Sequence, residues 1–325
     1  MDNHTSHNSA PSNSSSSSFP SSSSSIPSTQ STSSPRSPKP RTVAALIDAT
    51  KSFFEKKGIT TSARLDAELL LAHVLGCRRI DLYVRFDQPL TDPQLDRFRD
   101  LVRQRGERRP VKQLLGRCEF MSHELEVTPD VLIPRPETET LVEKTLAQLP
   151  PEPLTIADIG TGSGNIAVAI ALARPDATLY ATDISAPALE VARRNVERHA
   201  LAGRITLLPG DILQPLAERG LALDCIISNP PYVAESEFPA LMPEVARYEP
   251  RLALVSGQDG LGHTLRLLAD APNLLRPGGL LAIEIGPHVA DRALAAAQAA
   301  DAYENVHVEA DLNKLPRVLK ARKKA

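Results

Sequence analysis

The chain of 325 residues has no tryptophan, three methionines and three cysteines, and aromatic residues make up 4% of it. Cys77, Cys118 and Cys225 are widely spaced and form no C-x-x-C pair, so neither a disulfide framework nor a zinc site is predicted. This cysteine usage fits a reducing cytoplasm. The sequence contains no apolar run of about 18 residues, so no membrane span is predicted. Its start lacks the apolar segment of a secretory signal.

The chain also lacks a large excess of charge of either sign. Its net charge is −2, and because Asp2, Arg36 and Lys39 contribute +1, the remaining residues carry −3. Such a balance gives no general argument for a nucleic-acid partner. The exception is the stretch 97–117, which has eight Arg and Lys residues against two acidic ones. This stretch is either a solvated helix face or a docking patch for an acidic protein surface or RNA.

Serine is abundant at the start of the chain, where it occupies 18 of the first 40 positions. Apolar side chains are too few there to offset the conformational entropy lost on ordering. We therefore predict a disordered tail over 1–40. The remaining residues suit one α/β domain with a smaller second unit.

Residues 41–112 are predicted to form a helical domain. Apolar residues recur at helical spacing in 42–57, from the candidate N-cap Ser62 to Gly76, and in 91–109 with Pro93 near its start. A hairpin and linker follow over 113–140. The hairpin strands fall near 119–120 and 125–127, and the linker contains Ile133-Pro134-Arg135-Pro136-Glu137-Thr138.

The remainder, 141–325, alternates between strand and helix patterns, which predicts an α/β class with a parallel, doubly wound, Rossmann-like sheet. Strands are predicted at 154–159, 178–183, 205–208, 223–228 and 280–285, and helices at 164–174, 186–200, 261–275 and 288–300. Two final strands, 305–309 and 317–319, have no helix between them. They are expected to form an antiparallel pair that closes the sheet.

A glycine-rich loop follows the first strand of this sheet. Gly160-Thr161-Gly162-Ser163-Gly164 lets the backbone approach a ligand closely. The pattern departs from a dinucleotide fingerprint because Asn165 occupies the position of its third glycine. Asp158, just before the loop, would repel a pyrophosphate and suits a cationic or amino-bearing ligand.

Carboxylates follow the next two strands. Asp183 is placed to accept ribose hydroxyls, and Asp211, followed by Ile212, is placed to accept an adenine amino group. Each alone could instead be a helix N-cap. Together they indicate S-adenosyl-L-methionine. The candidate cofactor-binding residues are Asp158, Gly160, Thr161, Gly162, Ser163, Gly164, Asp183, Asp211, Ile212 and Asn229.

The strand 223–228 is followed by Asn229-Pro230-Pro231-Tyr232. Two prolines cannot continue a sheet ladder, so they form a rigid corner at the strand edge where open α/β sheets bind ligands. The Asn229 amide can hydrogen-bond a planar amide or amino group, and Tyr232 can stack on a flat substrate. The corner is therefore expected to hold a planar nitrogen.

Over about 42–323 the chain resembles the release-factor glutamine methyltransferases (the PrmC/HemK family). The resemblance is carried by the motifs 133–138, 158–164, 229–233, 248–251, 259–261 and 284–286. It implies a methyltransferase that uses S-adenosyl-L-methionine to modify the glutamine of the Gly-Gly-Gln motif in class I peptide chain release factors. It also implies that the helical domain grips this protein substrate. We expect a cytoplasmic monomer with no catalytic metal.

The same resemblance implies that the Asn229 side-chain carbonyl and the Pro230 backbone carbonyl accept the two N–H groups of the glutamine amide. Pro231 stiffens this substrate-binding corner, and Tyr232 is expected to wall or stack on the amide. An amide nitrogen is a poor nucleophile because its lone pair is delocalised, and positioning can lower the barrier without a dedicated base. Arg135 could shape this site or simply pair with Glu137 or another carboxylate.

Three alternatives share parts of this pattern. An RNA or DNA adenine-amino methyltransferase could use the same corner, but it would be expected to have a broad basic surface. A ribosomal-protein glutamine methyltransferase typically has Pro-Arg-Ser in the linker. A methyl-donor-binding module without activity should have a damaged loop or corner.

Two segments, Asn313 and Pro287-His288, depart from the family pattern. Glu284, at a predicted strand end, could have a structural role.

Overall fold

The computed structural model describes residues 41–325. The predicted disordered tail, 1–40, lies outside the described residues. The first part is helical, as predicted, with α1 (Val43–Lys56), α2 (Ala63–Leu75), α3 (Asp81–Val84), α4 (Asp92–Gly106) and α5 (Val111–Leu115). The hairpin β1 (Arg117–Phe120) and β2 (His123–Glu126) follows, and then α6 (Pro136–Leu146), which the sequence did not predict.

Local sequence signals account for the ends of these helices. Thr42 Oγ1 accepts a hydrogen bond from the backbone of Ala45 at the start of α1, and Thr91 and Gln94 form a capping box at the start of α4. Gly76 ends α2 in the left-handed conformation. Ser62 differs from expectation, because its hydroxyl donates to the Asp66 carboxylate at 3.0 Å and does not cap the backbone.

The remaining elements alternate along the chain. They are β3 (Thr155–Ile159), α7 (Asn165–Ala173), β4 (Thr178–Asp183), α8 (Ala186–Arg198), β5 (Ile205–Pro209), α9 (Gln214–Ala217), β6 (Leu223–Ser228), α10 (Pro243–Tyr248), α11 (Gly262–Asp270), β7 (Leu275–Glu284), α12 (Ala290–Ala299), β8 (Tyr303–Ala310) and β9 (Pro316–Lys323). Of these, α9 and α10 were not predicted.

Seven of the strands form one sheet in the order β5-β4-β3-β6-β7-β9-β8. The first five are parallel, whereas β9 lies antiparallel between β7 and β8. The predicted doubly wound sheet with a closing antiparallel pair is confirmed. Because β3, β4, β5 and β6 are parallel, their carboxyl ends lie at one edge, where the glycine loop, Asp183, Asp211 and Asn229 follow them.

Alternating side chains of the central strands fill the core on both faces of the sheet. In β3, Ile156 packs in the cluster on one face, and Ala157 and Ile159 pack in the cluster on the other. Helix α7 is apolar all round and has buried residues from Ile166 to Ala171, as expected for a helix enclosed by other elements. This rigid centre holds the loop between β3 and α7.

Part of the basic stretch 97–117 contacts the rest of the fold. Arg105 is buried, and it donates to Asp66 at 2.7 Å and to Glu244 of α10 at 3.1 Å. Arg108 donates to the other Glu244 oxygen at 2.7 Å. In contrast, Arg103 pairs with Asp100 and Glu107 on the exposed side of α4. The stretch is therefore not simply a solvated face, because Arg105 and Arg108 hold α10 against the helical part.

Within residues 41–325, no helix has both the length and the apolar character that a membrane crossing requires.

Candidate active site

A cavity lies at the carboxyl edge of the parallel strands. Many of the predicted site residues line it, namely Gly160, Thr161, Gly162, Ser163, Asp183, Asp211, Ile212, Asn229, Pro230 and Pro231. Arg135 and Thr138 of the linker and α6 also line it, as does His263 of α11. Asp158, Gly164 and Tyr232 are not among the residues that line this cavity. The cleft thus joins the glycine loop to the Asn-Pro-Pro-Tyr corner.

The glycine loop has the backbone freedom that its sequence indicates. Gly162 has a φ of 55°, and its N–H donates to Asp183 Oδ2 at 2.8 Å. Gly164 has a φ of +79°, and a Cβ there would lie 3.3 Å from the Ala192 Cβ. Gly164 therefore permits the close approach of α7 and α8 and does not face the cavity.

Asp158 has a different position from the one expected. It is fully buried beneath the loop, where Oδ2 accepts from Thr161 Oγ1 at 2.6 Å and from the Ala167 N–H at 3.1 Å. Burial raises the pKa of Asp158 to about 7, against the effect of these two hydrogen bonds. Its carboxylate anchors the loop to the start of α7 and is not placed at the cavity surface, where a cationic ligand would meet it.

Asp183 and Asp211 both line the cavity, and neither is the N-cap of the following helix. Ser185 caps α8, and Leu213 precedes α9. The Asp183 carboxylate accepts from the backbone of Gly162 and of Ser185, each at 2.8 Å. Burial nevertheless raises its pKa. Its two hydrogen bonds fix the carboxylate where β4 ends, beside the loop.

Asp211 is held by a residue that the sequence did not associate with it. Arg266 of α11 donates to its two oxygens at 2.6 and 3.2 Å. His263, one turn earlier on α11, contacts Ser256, with Nδ1 at 2.7 Å from the hydroxyl oxygen. Burial lowers the pKa of His263, which favours the neutral ring. No motif in the sequence singled out α11 as a wall of this cavity.

The Asn229 amide has a defined orientation. Its Nδ2 donates to Thr138 Oγ1 at 2.9 Å, and no donor among residues 41–325 forms a hydrogen bond to its Oδ1. Directly before it, the Ser228 hydroxyl donates to the Ile159 carbonyl at 2.7 Å and ties the end of β6 to β3. Asn229 lines the cavity, and its Oδ1 is thus left as an acceptor without a donor among the described residues.

Tyr232 lies behind the corner. Its hydroxyl donates to Glu284 Oε1 at 3.4 Å, and its ring centroid lies 6.3 Å from that of His288. Burial is the main cause of a raised Tyr232 pKa. Glu284 is also buried, at 1% exposure, and burial raises its pKa to about 7. Glu284 belongs to a polar network behind the site, which the sequence alone did not show.

Arg135 pairs with Glu249 and not with Glu137. Its Nη2 donates to Glu249 Oε1 at 2.6 Å, and the other oxygen of this buried carboxylate accepts from the backbone of Ile133 at 3.3 Å. Gln113 of α5 in turn donates to the Tyr248 carbonyl at 2.9 Å. These contacts join the segment at the end of α10 to the linker and to the helical part, at one side of the cavity.

Comparison with known proteins is consistent with this geometry. Residues 45–116 match the PrmC N-terminal domain family, and residues 138–246 match the methyltransferase small domain family. The chain is 46% identical over 290 residues to the release factor glutamine methyltransferase of Rhodopirellula baltica, and the match covers 87% of this chain and 97% of that protein. The chain belongs to the release factor glutamine methyltransferase family.

Other release factor glutamine methyltransferases give similar matches. That of Geobacter sulfurreducens is 42% identical over 249 residues, covering 77% of this chain and 86% of that protein. That of Moorella thermoacetica is 47% identical over 249 residues, covering 76% and 87%. A methyltransferase crystal structure from Pyrococcus furiosus is 20% identical, with a TM-score of 0.46, and covers 63% of this chain and 91% of that one. The matches to the three release factor glutamine methyltransferases confirm the predicted family.

Proposed function

We propose that this release factor glutamine methyltransferase transfers the methyl group of S-adenosyl-L-methionine to the side-chain amide nitrogen of the glutamine in the Gly-Gly-Gln motif of class I release factors. One observation carries the proposal: Asn229, whose Nδ2 donates to Thr138, and Pro230 border the same cavity as the glycine loop. A primary amide has two N–H groups for such acceptors.

S-adenosyl-L-methionine is the cofactor expected of this family, and the loop suits it. A Cβ at Gly160 or Gly162 would meet no protein atom within 4 Å, so these glycines leave room on the cavity side. Asp183 offers a fixed carboxylate for the ribose hydroxyls, and Asp211 and Ile212 border the region proposed for adenine. When bound, the cofactor supplies a methyl group on a positively charged sulfur.

The chain's own groups act by positioning. Asn229 Oδ1 and the Pro230 carbonyl would accept the two amide N–H groups, which orients the nitrogen and increases its electron density. The prolines restrict the backbone that carries these acceptors. The nitrogen would bond to the methyl carbon as the methyl–sulfur bond breaks, which leaves a neutral sulfur on the cofactor, and it would lose one proton to solvent. Such orientation can account for several kcal/mol of the barrier, roughly 7 to 11 in the most favourable cases.

The proposed division of labour follows the order of the chain. Residues 41–112 contact the release factor, 113–140 form the hairpin and linker, and 141–325 carry out the transfer. Glu244 of α10 joins the helical part to the methyltransferase part, because it pairs with Arg105 and Arg108 of the helical part. The near-neutral charge favours a protein substrate over nucleic acid. We also propose that the enzyme acts as a cytoplasmic monomer.

A methyl-labelling assay with two candidate substrates tests this function. The full chain is incubated with S-adenosyl-L-methionine labelled in its methyl group and with either a class I release factor or total RNA. We expect label in the release factor and none in a release factor whose Gly-Gly-Gln glutamine is replaced by alanine. Label confined to RNA would overturn the proposed function.

A further inference from the structure

Asn195 of α8 joins the glycine loop to the β1–β2 hairpin. Its side chain is fully buried. Nδ2 donates to the Ser163 carbonyl at 2.8 Å and to the Glu126 carbonyl at 3.0 Å, and Oδ1 accepts from the Glu126 N–H at 2.7 Å. One side chain therefore holds the backbone of two segments that are distant in the sequence.

The partners of Asn195 determine the orientation of its amide. All three are backbone groups, and a backbone N–H only donates whereas a backbone carbonyl only accepts. With the amide turned over, its NH₂ group would face the Glu126 N–H and its oxygen would face two carbonyls. Only the observed orientation satisfies every contact.

The Ser163 carbonyl depends on this amide. Ser163 is 1% exposed, and Asn195 supplies the only hydrogen bond to its carbonyl oxygen among residues 41–325. A buried carbonyl that loses its donor destabilises the conformation that buries it. Ser163 lines the cavity, whereas Asn195 does not. Asn195 thus holds a residue of the glycine loop without bordering the cavity itself.

The same face of α8 supports the next residue of the loop. Ala192, three positions before Asn195, lies against Gly164, where an added Cβ would be 3.3 Å from the Ala192 Cβ. The Gly164 N–H donates to the Thr161 carbonyl at 2.8 Å. The second half of the loop is therefore placed by α8, through the contact with Ala192 and the hydrogen bond from Asn195.

The hairpin is a firm support for this arrangement. Phe120 and Leu125 are each 1% exposed, and they belong to the apolar cluster that contains Ile166 of α7. Helix α8 holds β2 at a second point, because Arg194 Nε donates to Glu126 Oε1 at 2.8 Å. The backbone to which Asn195 ties the loop is therefore itself fixed by packing and by hydrogen bonds.

We propose that Asn195 is a positioning residue for cofactor binding: by tying the Ser163 carbonyl to the hairpin backbone, it holds the glycine loop in the conformation that binds S-adenosyl-L-methionine. A loop held in its binding conformation loses less conformational entropy when the ligand binds, which increases affinity. The inference rests on the proposed function and extends it, because it assigns part of the cofactor affinity to a side chain outside the cavity.

The test measures the Kd of full-chain variants for S-adenosyl-L-methionine by calorimetric titration. Asn195→Leu has a side chain of similar volume without hydrogen-bonding groups. It should raise the Kd roughly 10- to 100-fold, the change that corresponds to loss of a buried hydrogen bond. With saturating cofactor, its kcat and its KM for the release factor should stay close to those of the wild type. A general loss of folded protein would instead lower the number of cofactors bound per chain.

Arg194→Ala is the matched control. It removes another contact of α8 with Glu126 but no contact with the glycine loop, so its Kd should equal that of the wild type. A Kd raised equally in both variants would overturn the inference, because attachment of the hairpin would then account for the effect without the hydrogen bond to Ser163.

Hydrogen exchange of the cofactor-free protein gives a readout that is independent of activity. Asn195→Leu should speed up exchange of the backbone amides over 158–168, and Arg194→Ala should not. A folded Asn195→Leu variant with the Kd and the loop exchange of the wild type would overturn the inference.

If Asn195→Leu does not fold, as judged by thermal unfolding, exchange in the wild type decides. Saturating S-adenosyl-L-methionine should then slow exchange over 123–127 of the hairpin as well as in the loop, since coupling between two sites is reciprocal. Unchanged exchange in the hairpin would overturn the inference. A wild type that binds the cofactor but does not methylate the release factor would instead refute the proposed function, and the Kd comparison would still decide the role of Asn195.

Discussion

Gly260 lies against the backbone of Tyr232, and a Cβ at position 260 would come within 2.5 Å of the Tyr232 carbonyl oxygen. The same segment pairs with the residue that follows the corner, since the Ser256 N–H donates to the Val233 carbonyl at 2.9 Å. The segment that contains Ser256 and Gly260 therefore supports the Asn-Pro-Pro-Tyr corner. It lies so close to the corner that position 260 has no room for a side chain.

Replacement of Gly260 by alanine is expected to displace the corner. The added methyl group cannot coexist with the Tyr232 carbonyl, so kcat for release-factor methylation should fall at least about 10-fold. Gly260 also has a φ of +76°, and a left-handed residue other than glycine costs roughly 1–2 kcal/mol. Steady-state kinetics and thermal unfolding should be measured together.

Gly257→Ala is the matched control. Gly257 has a φ of +72°, but a Cβ there would meet no atom within 4 Å. The Gly257→Ala variant should lose a similar amount of stability, because its backbone is also left-handed, and it should keep the kcat of the wild type. Equal activities of the two variants would show that the contact of Gly260 with Tyr232 does not support the corner.

Arg105 joins the helical part to α10, and its replacement by leucine should destabilise the protein. Asp66 and Glu244 would lose their buried partner, and breaking a buried pair typically costs about 3–5 kcal/mol. Urea unfolding measures this change. Arg99→Ala, which removes a pair with Asp96 on the exposed face of α4, should change little. A leucine variant as stable as the wild type would contradict the structural role of Arg105.

Asp158→Asn should change how stability depends on pH. A carboxyl group whose folded pKa is raised contributes stability below its unfolded pKa and loses it as the pH rises through the folded value. Here burial raises the pKa from the ordinary 3.8 to about 7. The variant should therefore gain stability relative to the wild type between about pH 4 and pH 7, by up to about 4 kcal/mol at about 1.4 kcal/mol per pKa unit.

Urea unfolding of both proteins across this pH range gives the difference directly. Other titrating groups, including Glu284, are present in both proteins and cancel to first order. A stability difference that stays constant from pH 4 to pH 8 would mean that Asp158 does not titrate in this range.

Asp183→Asn should weaken cofactor binding. The amide would have only one acceptor for the Gly162 and Ser185 N–H groups that the carboxylate now serves, and it would serve the ribose hydroxyls less well. We expect the Kd for S-adenosyl-L-methionine to rise roughly 10- to 100-fold, equivalent to about 1.4–2.7 kcal/mol. Calorimetric titration measures it. Asp176→Asn, which affects a pair with Arg174 outside the cavity, should leave the Kd unchanged.

The sequence was sufficient for the parts of the fold that depend on local pattern. Alternating strand and helix periods predicted the parallel sheet, and the carboxyl ends of its strands placed Asp183, Asp211 and Asn229 at one edge. The glycines at 160 and 162 were likewise placed at the cavity. These inferences succeed because parallel strands bring their carboxyl ends to the same edge of a sheet.

The remaining features depend on contacts between distant segments. Glu244 and Arg105 are 139 positions apart, and no periodicity connects them. Asp158 was assigned to a cationic ligand because it is acidic and lies just before the glycine loop, but its carboxylate is buried and accepts from Thr161. The Asn229 orientation depends on Thr138, 91 positions earlier. Short motifs identified Asp158, Thr138 and Asn229, and only the fold showed which side chains they contact.

The most direct test of the account is to locate the methyl group on the release factor. After reaction with the full chain and S-adenosyl-L-methionine, tandem mass spectrometry of the Gly-Gly-Gln peptide should show one added methyl group on the glutamine side-chain amide. Asn229→Ala should give no methylated peptide while it binds the cofactor with the affinity of the wild type. A methyl group at another residue, or full methylation by Asn229→Ala, would contradict the account.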